Sequence, residues 1–398
     1  MDQTKEPPEA RPARPLPWND LRVRAIVFQV LVIAGVIALA AYLVRNLMHN
    51  LEVRGISTGF SFLSHRAGFA INQSLVPYSE ATSTYGRTFV VGLVNTLLVS
   101  GLGIVCATIL GFIVGVSRLS RNWLVAKLAS AYIETFRNLP LLVQILFWYF
   151  AVFLNLPPPS EALHIGDSVF LTQRGLYLPL PDAQAGFGWT ALALVAALVA
   201  SVVLVRWSRR RQDRTGKRFP AYLASAGLLA SVPLAAFVLT GQPLQWVKPE
   251  LTGFNFVGGV DVIPELAALL LALSVYTAAF IAETVRAGIL SVSQGQTEAA
   301  HSLGLRPSWT LRLVIIPQAM RVTIPPLTSQ YLNLTKNSSL ATAIGYPDLV
   351  SLFAGTTLNQ TGQAVEVMSM TMAVYLVISL VISMFMNWFN ARMALVER

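Results

Sequence analysis

Apolar residues in this chain come in runs of about 20, separated by polar stretches, and that pattern predicts membrane-crossing helices. Wound as a helix, such a run covers the ~30 Å of hydrocarbon in a bilayer. Eight spans are predicted, at about residues 25–44, 88–116, 138–154, 189–205, 222–240, 263–285, 322–353 and 368–390. Two are irregular. The third is short, with Pro140 near its start. The seventh is long and polar in its middle, which predicts a broken or tilted helix. Spans four and five hold few polar residues and read as lipid-facing additions to a core of spans two, three, six, seven and eight. The segment from Pro157 to Gly188 is punctuated by proline and glycine and predicts a loop with little regular structure. No repeat at a fixed period is present.

Composition turns this pattern into a fold class. Of 398 residues, 54% are hydrophobic and only 12% charged, about half the charge of a soluble domain. That leaves too little polar surface for a water-soluble particle, so the expectation is an all-α polytopic membrane protein. The net charge of +10 would suggest a nucleic-acid partner in a soluble chain. Here the basic residues fill the connections between spans, so they report topology and imply no nucleic acid. With the N-terminus inside, 22 Lys and Arg fall on the cytoplasmic side and six on the other, with Lys336 inside a span. Both termini, 1–24 and 391–398, are therefore expected in the cytoplasm. The first run, Ala25–Val44, is too long for a signal-peptide core and reads as a retained anchor, followed by an external loop to residue 87. Cys106 is the one cysteine, so no intrachain disulfide and no cysteine metal cluster can form. His49, His65, His164 and His301 are dispersed and suggest no metal site.

The connection 286–321 is longer than most loops between neighbouring helices and predicts a function. Thr297-Glu298-Ala299-Ala300 suits a short helix with small residues on one face. Gly304 permits a turn at its end, and Pro317 closes the approach to the next span. On local physics this is either a docking element for a soluble partner or an amphipathic helix lying at the membrane surface.

The order Glu298-Ala299-Ala300, then Gly304, then Val314-Ile315-Ile316-Pro317 resembles the signature loop of ABC importer permeases, with a mild departure at its Ile-x-Leu-Pro-like end. The stretch Tyr132 to Gln144, reading Tyr-Ile-Glu-Thr-Phe-Arg-Asn-Leu-Pro-Leu-Leu-Val-Gln, is similar to that of polar amino-acid permeases. Its Asn138-Leu139, the external Gly59-Phe60-Ser61-Phe62-Leu63 and the length most resemble the long permeases of the general L-amino-acid transport system. The resemblance implies a five-helix permease core within 88–390, helices inserted at about 189–240, and a coupling loop at 286–321. It also implies a bacterial inner-membrane location, translocation of L-amino acids and several partners. These are a paralogous permease in a heterodimer, an ATP-binding subunit that uses ATP and Mg, and a periplasmic amino-acid-binding protein. Glu298, Ala299, Ala300, Gly304 and Pro317 would serve the coupling loop.

In the seventh span, Gln330, Asn333 and Asn337 share a helical face, with Lys336 and Ser338 beside them. A charge at mid-bilayer costs about 3 kcal/mol, so this face either lines a wet substrate path or closes an interhelical hydrogen-bond network. Glu283 and Arg286, one turn apart, suggest a local ion pair. Asn95-Thr96 suggests helix–helix hydrogen bonding, and Gly111 with Gly115 close helix packing. No Gly-x-x-x-x-Gly-Lys-Ser/Thr loop occurs, so the chain carries no phosphate cradle of that kind, no cofactor is expected in it, and ATP hydrolysis belongs elsewhere. The competing expectation is an ion-coupled secondary amino-acid transporter, a class that often shows inverted repeats and several intramembrane charges.

Overall fold

The computed structural model describes residues 21–393, apart from 54, 56 and 57. Most of the expected N-terminal tail and the end of the C-terminal tail lie outside the described residues. The helices are α1 (Leu21–Val53), α2 (Tyr85–Arg118), α3 (Trp123–Asn138), α4 (Leu141–Leu146), α5 (Phe187–Thr215), α6 (Ala221–Leu239), α7 (Pro264–Leu290), α8 (Gln294–Ser302), α9 (Pro307–Thr310), α10 (Ile316–Asn337), α11 (Leu358–Thr361) and α12 (Ala364–Met393). Among the described residues α1, α2, α5, α6, α7 and α12 are long and apolar enough to cross a bilayer. The pair of α3 and residues Leu141–Asn155, bent by 105°, makes a seventh if it counts as one span. Polar α10 falls in the seventh predicted span and is not among the helices apolar enough to cross.

Two spans differ from expectation. The third, expected from residue 138, is preceded by a helix where a connection was expected. Asn122 caps α3 by accepting the N–H groups of Leu124 and Val125. Pro140 forces the bend, since the residue before a proline leaves the helical region; Leu139 is extended. The seventh, expected to run to residue 353, stops being an α-helix at Asn337. A 3₁₀ turn, Ser338–Ile344, follows and ends at left-handed Gly345 (φ 75°), and a π-helical stretch, Val350–Thr357, resumes after the break.

The segment expected to be irregular instead holds short strands. They are β1 (Leu163–Ile165), β2 (Val169–Thr172), β3 (Gly175–Leu178) and β4 (Leu180–Ala183), joined by β5 (Leu244–Val247), β6 (Glu250–Thr252), β7 (Asn255–Val257) and β8 (Val260–Val262). The largest sheet has the order β1-β2-β3-β8, all antiparallel, with Tyr177 opposite Asp261. Phe256 stacks on Phe170, and the Tyr177 hydroxyl donates to Asn255 Oδ1 at 2.7 Å. The two connections flanking the α5–α6 hairpin thus fold together, which no local pattern in either one reveals.

The core is built on α2 and α7. A Cβ at Gly111 would lie 2.6 Å from Ile281 Cβ, and one at Gly115 would lie 2.7 Å from the Ala282 carbonyl oxygen. The Gly-x-x-x-Gly pair therefore serves packing within the chain. Val99, Ile145, Leu269, Leu273 and Tyr346 form one buried cluster. Ala107, Ile281, Ile324, Leu334 and Met386 form another, joining α2, α7, α10 and α12. The lipid-facing expectation for spans four and five fits the hairpin: Leu192, Val199, Val203, Leu223 and Leu234 are all exposed. Helix α1 buries none of its spanning window inside the chain.

Candidate functional site

The loop after α7 forms the compact helix α8, closed by paired backbone bonds at its C-terminal end. Gly304 N–H donates to the His301 carbonyl at 2.9 Å, and Leu305 N–H reaches back to the Ala300 carbonyl at 3.1 Å. This closure needs a left-handed residue between them, and Gly304 supplies it at φ 75°. Ala300 is buried beneath the helix, while Glu298, Ala299 and Gly304 are exposed. Leu303 is 81% exposed, a large apolar side chain standing free at the tip of the loop. Gln318 Nε2 donates to Gln296 Oε1 at 3.2 Å, tying α8 to the start of α10.

Pro317 sits in the first turn of α10. Residues Leu311–Ile315 before it form a π turn that joins α9 to α10. A proline gives no N–H, and a widened turn absorbs that loss without breaking the helix. Pro317 therefore lies inside a nearly continuous helical path. Expected to close the approach to the span, it opens α10.

Along α10 burial divides the helix sharply. Thr323, Ile324, Leu327, Leu334 and Thr335 face the bundle. Val322, Pro325, Pro326, Ser329, Asn333 and Lys336 form the exposed face. Gln330 and Asn337 flank it, half-buried. Ser338 is fully buried, and its hydroxyl donates to the Thr335 carbonyl at 2.8 Å. Pro325 and Pro326 lack N–H groups, so the carbonyls of Arg321 and Val322 lose their usual helical donors, and this face carries backbone acceptors as well as side chains. The ion pairs found among the described residues both belong to Glu283, and neither involves Lys336.

The break after α10 is held from α2. Asn95 Nδ2 donates to the Pro347 carbonyl at 2.9 Å and to the Gln73 carbonyl at 3.0 Å. Thr96 Oγ1 accepts the Leu349 N–H at 3.0 Å. The hydrogen bonding expected of Asn95-Thr96 thus goes to backbone that the break leaves open. Asp348, also buried, accepts the Ser351 N–H at 2.8 Å and the Tyr375 hydroxyl at 3.4 Å.

Sequence reasoning missed the full extent of one charged cluster. Glu283 pairs with Arg286 as expected, at 2.6 Å, and also with Arg118 from α2. Arg137 on α3 lies over the Phe280 ring at 5.1 Å. A concavity of about 290 Å³ beside this cluster is lined by Arg137, Phe280, Glu283, Thr284, Pro326 and Gln330, among others. It connects the charged cluster to the exposed face of α10. Basic residues at the ends of three predicted spans were the available signal, but pairing across helices cannot be read from spacing along one of them. Among the described residues no cluster of His, Cys, Asp or Glu could hold a metal ion.

Comparison with known proteins fits this architecture. Residues 228–395 match the family described as binding-protein-dependent transport system inner membrane component. The chain is 57% identical to the permease protein YhdX of Escherichia coli (strain K12), over 94% of this chain and 95% of that one. It is 50% identical to the general L-amino acid transport system permease protein AapQ of Rhizobium johnstonii, over 95% of this chain and 94% of that one. It is 44% identical to the glutamate/glutamine/aspartate/asparagine transport system permease protein BztB of Rhodobacter capsulatus, over the whole of both chains. Identity this deep and this continuous displaces the expectation of an ion-coupled secondary transporter. The chain belongs to the binding-protein-dependent transport system inner membrane components, as a multi-span permease subunit of an ABC importer in which ATP hydrolysis is the work of a separate subunit.

Proposed function

We propose that this chain carries L-amino acids across the bacterial inner membrane as one of two permease subunits around a shared path. The observation that carries the reading is the pairing of the loop helix α8, with exposed Glu298, Ala299 and Leu303, with a polar, largely unpartnered face on the adjoining α10. Helix α8 stands on the cytoplasmic side, where the basic connections fall, and docks on the ATP-binding subunit. Both termini share that side. Gly304 fixes the turn that presents α8, and Ala300 and Pro317 seat it on the bundle. ATP and Mg act in the partner. A periplasmic binding protein delivers the amino acid to the opposite face.

In this reading Gln330, Asn333, Lys336 and Asn337 line the path and meet the substrate's polar groups. Ser338, bonded to the helix backbone, holds the end of α10 in place. BztB and BztC, two different permease proteins named for one transport system, favour a heterodimer with a paralogous chain.

The substrate range of AapQ and BztB, as their names give it, favours a broad or acidic-and-amide specificity. Uptake of labelled acidic, amide, aliphatic and basic amino acids, in cells lacking the chain and in cells with it restored, tests the proposal. Restored uptake of one or more classes is expected. Uptake that does not depend on the chain for any amino acid refutes it.

A further inference from the structure

Arg321 projects from the second turn of α10, and no role falls to it above. Its Nε and Nη2 are shielded from solvent and have no hydrogen-bond partner among the described residues. Beside it is a concavity of about 350 Å³, lined by Ser291, Val292, Ser293, Gln296, Gln318 and Val322. Every one of these is uncharged. The contact from Gln318 to Gln296 bridges this concavity from α10 to α8. Ser293 precedes the first residue of α8 without capping it through its side chain. The positive end of the α8 backbone therefore stands at the same concavity as the guanidinium.

A guanidinium holds its charge at any physiological pH and carries only donors. Shielded donors without acceptors are unfavourable. Among the described residues no acid fills the need: the carboxylate found in ion pairs there is Glu283, which holds Arg118 and Arg286. The concavity thus has the charge, the donors and the room for a carboxylate that the described residues do not provide.

We infer that an acidic side chain of the ATP-binding subunit enters this concavity and pairs with Arg321. The inference rests on the reading of α8 as the docking helix. Three features favour this occupant over a lipid headgroup. The walls are polar, they are built half from the α8 loop, and they adjoin the exposed Glu298–Leu303 surface that the partner covers in that reading. Docking would then complete a charge pair between α10, the helix that carries the path face, and the ATPase. A movement of the ATPase would act on α10 directly as well as through α8.

The test uses the assembled transporter, with two variants of Arg321 and one on α8. Arg321→Met removes the charge while filling the space, and Arg321→Lys keeps a charge without the fork of donors. Ala299→Arg places a bulky charge on the exposed face of α8. Co-purification of the ATP-binding subunit with each permease, titrated to give an apparent affinity, is the first readout. The expected result is at least about tenfold weaker retention for Arg321→Met, as for loss of one partner of a shielded pair, and an intermediate value for Arg321→Lys. The second readout is a structure of the wild-type complex, where a carboxylate of the ATPase is expected within about 3.2 Å of Nε or Nη2. Undiminished retention by Arg321→Met overturns the inference. So does a complex whose concavity holds water, a free anion or a lipid phosphate. If Ala299→Arg weakens retention and Arg321→Met does not, only this inference fails. If neither does, the docking role of α8 fails as well. Should Arg321→Met not accumulate, the wild-type complex decides.

Discussion

Gly288 on α7 faces Thr323 on α10 so closely that a Cβ added at the glycine would lie 2.0 Å from the Thr323 hydroxyl oxygen. The contact stands in the last turn of α7, just before the loop that becomes α8, and in the same part of α10 as Arg321. It sets how far the root of the α8 loop lies from α10. Gly288→Ala is predicted to push the helices apart at a cost of about 1–3 kcal/mol, read as a lower thermal midpoint in detergent. Adding Thr323→Ala should recover part of the loss. The remainder reflects the Ala319 carbonyl oxygen, 3.1 Å from the added carbon.

The break after α10 depends on Asn95. Asn95→Ala deprives the Pro347 and Gln73 carbonyls of their donor at a buried site, and leaving such groups unpaired costs about 1–3 kcal/mol. The expected outcome is a less stable transporter, with enhanced proteolysis or hydrogen exchange concentrated at Gly345–Leu349. Loss of stability with no change at that segment would show that the bonds do not hold the break.

Gly304→Ala puts a side chain at a left-handed position with open space around it, so strain alone acts, at about 1–2 kcal/mol. The bundle should keep its thermal midpoint while α8 frays at its C-terminal end. The measurable result is fewer substrate molecules moved per ATP hydrolysed. Gly304→Asn should be milder, because asparagine tolerates that conformation.

Lys336 is exposed on α10 and outside the ion pairs found. Lys336→Met is therefore expected to leave protein level and thermal midpoint unchanged. Uptake should fall about tenfold or more, as for loss of a hydrogen bond to a charged group. Normal uptake at normal protein level would remove Lys336 from the path.

The parts of this fold that were legible in the sequence are those fixed by local pattern. Apolar runs placed α2, α5, α6, α7 and α12, and the small residues before Gly304 placed α8. The strands around Tyr177 were not legible, because each is three or four residues long and pairs with a segment beyond an intervening helical hairpin. The end of α10 was obscured because Ser338–Ile344 keeps helical spacing while changing its hydrogen bonds, and Gly345 alone marks the stop. The candidate path residues were found from charge inside an apolar run. Arg118 and Arg321 escaped notice because a basic residue near a span end ordinarily reports topology. Only the packed structure shows that Arg118 meets Glu283 and that Arg321 Nε and Nη2 find no acceptor among the described residues.

The central claim is that this chain is the amino-acid path of an ATP-driven importer. The most direct measurement is uptake into proteoliposomes that hold the chain with its partner permease and ATP-binding subunit, with ATP inside and the binding protein outside. The expected result is accumulation of a labelled L-amino acid that requires ATP and the binding protein and persists when ion gradients are collapsed. Accumulation driven by an ion gradient without ATP, or none in the complete assembly, would contradict it.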